Sequence, residues 1–141
     1  MSALHRLVYT SVRTPKCDQA AIENILASCK KNNPSRKVTG ILVHSDRRFL
    51  QYIEGAKEDL LSLYELIKAD DRHTALNQRD FQPIEQRIFP SWHMGYRDLA
   101  KEVRYKTDIS RADQQVFDDL IHGEIDFSNR GLKVLQLFFS I

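Results

Sequence analysis

The sequence predicts an α+β fold: one sheet with two helices on one face and further C-terminal helices on the other. Three observations point to it. Short β-branched apolar runs are interrupted twice by segments with a 3.6-residue apolar period, turn residues punctuate each change, and beyond Ala100 the texture becomes helical. With 141 residues, one core is the default. Apolar residues are 42% and charged residues 28%, with 5 Gly and 4 Pro, which excludes a disordered or low-complexity chain.

The elements follow in order. Leu4 to Thr10 reads as a strand, and a loop with Pro15 leads to a helix from about Asp18, whose carboxylate can cap the first turn. Ile22, Ile25, Leu26 and Cys29 give that helix one apolar stripe, and the Asn32-Asn33-Pro34-Ser35 cluster is expected to end it. Lys37 to Ser45 and Phe49 to Glu54 form a hairpin around Asp46-Arg47-Arg48, closed by Gly55. From Lys57 to Asp70, the positions Leu60, Leu63, Tyr64 and Ile67 predict a second amphipathic helix. Extended segments near Ala75 to Gln82 and Trp92 to Tyr96 flank an irregular stretch with Pro83 and Pro90. The order β-α-β-β-α-β-β is the split pattern of a ferredoxin-like sheet. Residues 1–98 then form a core and 99–141 an appendage, with helices about Ser110 to His122 and Arg130 to Ser140. Leu132, Leu135, Phe138 and Phe139 make a stripe that caps the sheet or meets another chain.

Several function classes recede on composition. No apolar run approaches the roughly 20 residues of a membrane helix, and the first ten residues lack a signal-peptide core, so a cytoplasmic protein without membrane contact is expected. Cys17 and Cys29 form no C-x-x-C pair, and no metal site is expected. With 21 Lys and Arg against 19 Asp and Glu, the net charge of +2 offers no strong attraction to nucleic acid. The basic group Lys30, Lys31, Arg36, Lys37, Arg47 and Arg48 reads as a solvated face, part of which could meet one phosphate.

Four polar residues stand out from the apolar pattern. Strand alternation puts Gln51 on one face with Phe49 and Ile53, and Tyr9 on one face with Leu7. The first and third strands of this topology are central neighbours, so the phenol and amide fall in hydrogen-bond range if both face the helices. One phenol cannot satisfy a buried amide, so another polar group is missing. Asn32 and Asn33 could supply amides at the rim, with Ile25 and Ile67 as apolar walls. A planar heterocycle such as a flavin ring suits that composition.

These residues carry a recognisable ordered pattern: Leu7-Val8-Tyr9-Thr10-Ser11, Asn32-Asn33, Val38-Thr39-Gly40-Ile41-Leu42, Phe49-Leu50-Gln51 with Ile53-Glu54-Gly55, Asp71-Arg72-His73, then Arg87, Phe89, Trp92, Met94 and Gly95. The chain resembles the BLUF family of flavin-binding blue-light sensors. The resemblance implies a noncovalently bound FAD, Tyr9 as the redox-active tyrosine, and Gln51 as the glutamine linking it to the flavin. It implies Asn33 at the flavin carbonyl and ring nitrogen, Lys31 and Asn32 as flanking pocket residues, Ile25 and Ile67 as walls, and Arg72 as a polar contact at the ring edge. Trp92 and Met94 match a pair that relays the signal, and His73 matches as well. Cys29 departs from the family, which commonly has Ser there. In the family, an electron and a proton pass from tyrosine to excited flavin and return, leaving the glutamine amide rearranged. The implied protein is a photoreceptor and not an enzyme, acting through a partner protein or self-association. Two other functions share the topology. An acylphosphatase-like hydrolase would recruit Arg13 and Asn24, although its anion loop would lack Gly, and an RNA-binding module would need paired aromatics on the central strands.

Overall fold

A computed structural model describes residues 4–44 and 47–89, and the backbone of residues 95–98. The elements are β1 (Leu4–Arg13), α1 (Gln19–Arg36), β2 (Thr39–His44), β3 (Arg48–Ala56), α2 (Lys57–Lys68), β4 (His73–Pro83) and β5 (Gly95–Asp98). They form one sheet in the order β4-β1-β3-β2-β5, in which β5 runs parallel to β2 and the other neighbours are antiparallel. This is the α+β, ferredoxin-like arrangement that the order of periodicities predicts. The appendage 99–141, with its expected helices, lies outside the described residues.

Several boundaries differ from expectation by a few residues, most informatively at the end of α1. Asp18 caps α1 as predicted, accepting from the Ala21 amide at 2.8 Å. The helix nevertheless continues through Pro34 to Arg36. Proline in the final turn forfeits one helical amide bond without displacing the turns that follow. The chain stops only where Lys37 adopts the left-handed conformation, φ 54°, and the Lys37 and Val38 amides return to the Pro34 and Asn33 carbonyls. That pair of bonds closes a helix end as a glycine commonly does. The last strand, expected over Trp92 to Tyr96, is described over Gly95–Asp98 and so runs two residues past its expected end; Trp92 and Met94 lie outside the described residues.

Alternation along the central strands sorts the core. Leu7, Tyr9, Leu42, Phe49 and Ile53 face the helices and pack with Ile22, Leu60 and Tyr64. Tyr9 lies opposite Gln51 across β1 and β3, and Leu42 lies opposite Gln51 across β2 and β3. Register shifts in the β1–β4 pairing, between Val8 and Tyr9 and between Thr10 and Val12, bracket Tyr9. Gly40 of β2 has φ 157°, and a Cβ there would lie 2.0 Å from the Tyr52 carbonyl oxygen. Gly40→Ala must displace backbone in the sheet interior, and a loss of about 3–5 kcal/mol is expected, measured as a fall in the urea midpoint. A loss under about 1 kcal/mol would show that β2 shifts freely.

The opposite sheet face carries Val8, Ile41, Val43, Leu50 and Tyr52, all buried, together with Glu54, which is 0% exposed. The Glu54 carboxylate accepts from the Ile88 amide (2.9 Å), the Phe89 amide (2.6 Å) and the Tyr52 hydroxyl (3.1 Å). Burial, then the Glu54 carboxylate, holds the Tyr52 phenol well above its ordinary pKa, so it remains a donor. Arg87 clasps the same place, donating to the Thr39 hydroxyl (2.8 Å) and to the Glu54 (2.9 Å) and Lys37 (2.5 Å) carbonyls. Residues 87–89 are thereby fastened to β2 and β3.

Candidate functional site

A cavity of about 220 Å³ opens between α1 and α2 over the central strands. The sheet supplies Tyr9 from β1, Leu42 from β2, and Phe49 and Gln51 from β3. α1 contributes Ile25, Ser28, Cys29, Asn32 and Arg36, which recur at helical spacing along one stripe. α2 contributes Leu63, Leu66 and Ile67, and the turn into β4 contributes Asp70, Arg72 and His73. The floor is buried, with Tyr9 3% and Gln51 4% exposed. Ser28, Asn32 and Leu66 are exposed and rim the mouth.

The Tyr9 hydroxyl donates to Gln51 Oε1 at 2.5 Å. Burial raises the Tyr9 pKa well above the ordinary tyrosine value, with the Cys29 thiol, Tyr64 and Asp70 adding smaller pushes in the same direction. The phenol therefore keeps its proton at any physiological pH. The Tyr64 ring is tilted against Tyr9 at 5.7 Å, and the His73 ring meets it edge-on at 6.1 Å. An amide has one acceptor end and one donor end, so Gln51 can present either to the same phenol by turning about its last bond. A buried pair of this kind has two hydrogen-bonding arrangements within one pocket.

The surrounding shell is tied together by hydrogen bonds. His73 Nε2 lies 2.7 Å from the Ile67 carbonyl, which can only accept, so Nε2 donates there; Nδ1 lies 2.8 Å from the Ser11 hydroxyl. Arg72 donates from Nε to Asp70 Oδ1 (2.9 Å) and from Nη2 to Oδ2 (2.5 Å). That fork holds the Asp70 carboxyl below the usual range, mainly through the side-chain hydrogen bond, against a smaller opposing effect of burial. The turn is tied down by the Thr14 amide on the Arg72 carbonyl (3.0 Å) and the Thr14 hydroxyl on the Asp71 carbonyl (2.8 Å).

The cavity gathers Tyr9, Ile25, Asn32, Gln51, Ile67 and Arg72 from the residues singled out in the sequence. Two others stand apart. Lys31 is exposed and is not among the lining residues. Asn33 is 1% exposed, yet it too is absent from the lining, whereas its exposed neighbour Asn32 lines the cavity at the mouth. The Asn33 side chain hydrogen-bonds the Cys29 thiol one turn earlier; burial raises that thiol's pKa, and this bond opposes the rise. Sequence reasoning passed over Arg36 and Asp70 as lining residues. The first was legible as the continuation of the Ile25, Cys29, Asn32 stripe, whereas the second depends on the turn geometry that Arg72 imposes.

Comparison with known proteins gives this geometry relatives. The model of the family described as BLUF, sensors of blue-light using FAD, matches residues 4–95. The beta subunit of a photoactivated adenylate cyclase from Euglena gracilis is 30% identical over 90 residues, covering 64% of this chain and 10% of that protein. The alpha subunit from the same organism is 34% identical over 93 residues, covering 64% and 9%. The chain thus spans about a tenth of the length of these curated relatives. BlrB, a BLUF protein solved in its dark state, aligns at TM-score 0.75 and 29% identity over 98% of this chain and 96% of its own. A bacterial light-regulated adenylyl cyclase aligns at TM-score 0.69 and 28% identity over 94% of this chain and 36% of its own. Among the described residues, no helix is long and apolar enough to cross a membrane.

Proposed function

The chain belongs to the BLUF family, whose model covers residues 4–95 of its 141, and on that premise we propose that it senses blue light through FAD held between α1 and α2. The observation that carries this reading is the buried Tyr9–Gln51 hydrogen bond on the floor of that cavity. The cavity suits a flavin: Ile25, Leu63 and Ile67 offer flat apolar walls, and Gln51, Asn32 and Arg72 offer polar atoms at the edges. Asn33 serves the ring edge by exchanging its bond with Cys29, and Lys31 flanks the mouth.

A bound flavin supplies light absorption and a transient acceptor for one electron and one proton. Tyr9 is the group that gives up both and takes both back. It suits that role because burial keeps it neutral and its proton already lies on a hydrogen bond. Gln51 leaves the cycle with its amide turned. Composition and redox state are then unchanged, and only the hydrogen-bond pattern differs. Such a rearrangement acts as a signal only through an element with two packings. Residues 1–98 form the sensing unit, Trp92 and Met94 relay its state, and the appendage 99–141 meets a downstream protein or a second copy. The chain works in the cytoplasm as a sensor and not as a catalyst, without metal or nucleic acid. The Euglena gracilis relatives are photoactivated adenylate cyclase subunits, which favours an effector protein as the kind of partner. The RNA-binding and hydrolase readings gain nothing from a cavity covered by both helices.

The test begins with colour. Purified protein is expected to be yellow, to release FAD on denaturation, and to show a small red shift under blue light that reverses in the dark. A colourless preparation that takes up no added flavin contradicts the proposal.

A further inference from the structure

Resting on the flavin reading above, we infer that Arg36 selects the phosphate ester of the ligand, so that the cavity takes flavins phosphorylated on the ribityl chain, FMN or FAD, in preference to riboflavin. The starting point is a charge that a ring alone does not explain. Arg36 lines the cavity, whereas Lys31 and Lys37, its basic neighbours in sequence, are exposed and do not. An oxidised flavin ring is uncharged, and its edges are already served by Gln51, Asn32 and Arg72, the last with its charge paired to Asp70. A phosphate calls for a guanidinium, since a planar fork of N–H donors matches its oxygens.

Position agrees with that role. Tyr9 and Gln51 mark the closed end of the cavity and exposed Asn32 its mouth, and Arg36 lies one turn beyond Asn32, half-buried in the last turn of α1. From Ile25 to Arg36 the helix advances eleven residues, about 16 Å at 1.5 Å per residue. That stripe is long enough for a ring at the closed end and a polyol chain leading outward. Charge also agrees. Arg72, the other arginine of the lining, is neutralised by its bidentate pair with Asp70. No carboxylate among the described residues pairs with Arg36. The negative end of α1 is blunted there, because the Asn33 and Pro34 carbonyls already accept from the Val38 and Lys37 amides.

The test is ligand exchange into the flavin-loaded protein, with riboflavin, FMN and FAD as competitors for the wild type, Arg36→Gln and Arg36→Lys. The wild type should hold FMN and FAD about tenfold or more tightly than riboflavin, a typical worth for one charge-assisted contact. Rising salt should erode that preference without changing riboflavin binding. Arg36→Gln should weaken FMN and FAD about tenfold and riboflavin less than twofold, and Arg36→Lys should keep part of the preference. Equal weakening of all three ligands would overturn the inference by giving Arg36 a merely structural role, as would a wild type that does not distinguish riboflavin. Loss for FAD alone would move the recognition to its adenylate half and also overturn it. Protein that holds none of the three would instead overturn the flavin reading itself.

Discussion

Tyr9→Phe is expected to retain flavin and to lose the red-shifted state entirely. The phenol oxygen is the one atom removed, so the ring still fills its place between Tyr64 and His73 while its proton and its bond to Gln51 disappear. Gln51 Oε1 is left without that donor in a buried site, which costs about 1–3 kcal/mol. The variant should therefore melt somewhat lower but remain folded and yellow. Gln51→Leu should give the same spectroscopic loss from the other side of the pair, because Leu has the bulk but no donor or acceptor to exchange. Absorption spectra before and after blue illumination check both. A normal reversible shift in Tyr9→Phe would remove Tyr9 from the mechanism.

A loss of stability as large as that at Gly40 is expected at Glu54. Its buried carboxylate collects the Ile88 and Phe89 amides and the Tyr52 hydroxyl, and Glu54→Ala removes that shared acceptor from them. About 3–5 kcal/mol should be lost, the sum over several buried donors that each lose an acceptor at about 1–3 kcal/mol. Glu54→Gln keeps one acceptor oxygen but turns an N–H₂ toward two amide donors, so a smaller loss is expected. Urea unfolding gives the energies, and hydrogen exchange of the Ile88 and Phe89 amides gives the place. Unchanged protection of those two amides in Glu54→Ala would show that Arg87 alone holds the segment.

The parts of this protein legible in the sequence are those set by local periodicity. Period-two alternation put Gln51 with Phe49 and Ile53, and period 3.6 put Leu60, Leu63, Tyr64 and Ile67 on one helix face. The topology then made Tyr9 and Gln51 neighbours, and the register places them directly opposite. What could not be read depends on competition between local signals or on distant partners. Pro34 is a strong stop signal, yet α1 outlasts it because Lys37 and Val38 supply the closing bonds. Asn32 and Asn33 carry the same side chain, and the sequence pattern does not show that Asn32 lines the cavity while Asn33 is buried against Cys29. Glu54 has no local signature at all, because two of its donors lie more than thirty residues away.

The central claim is that light changes the hydrogen bond between Tyr9 and Gln51 without consuming either group. It is tested most directly by a light-minus-dark infrared difference spectrum of the flavin-loaded protein with ring-labelled tyrosine. The account predicts a shift in a labelled phenol band that appears on illumination, decays with the visible red shift, and is absent from Tyr9→Phe. A red shift with no labelled phenol signal, or the same signal persisting in Tyr9→Phe, would contradict it.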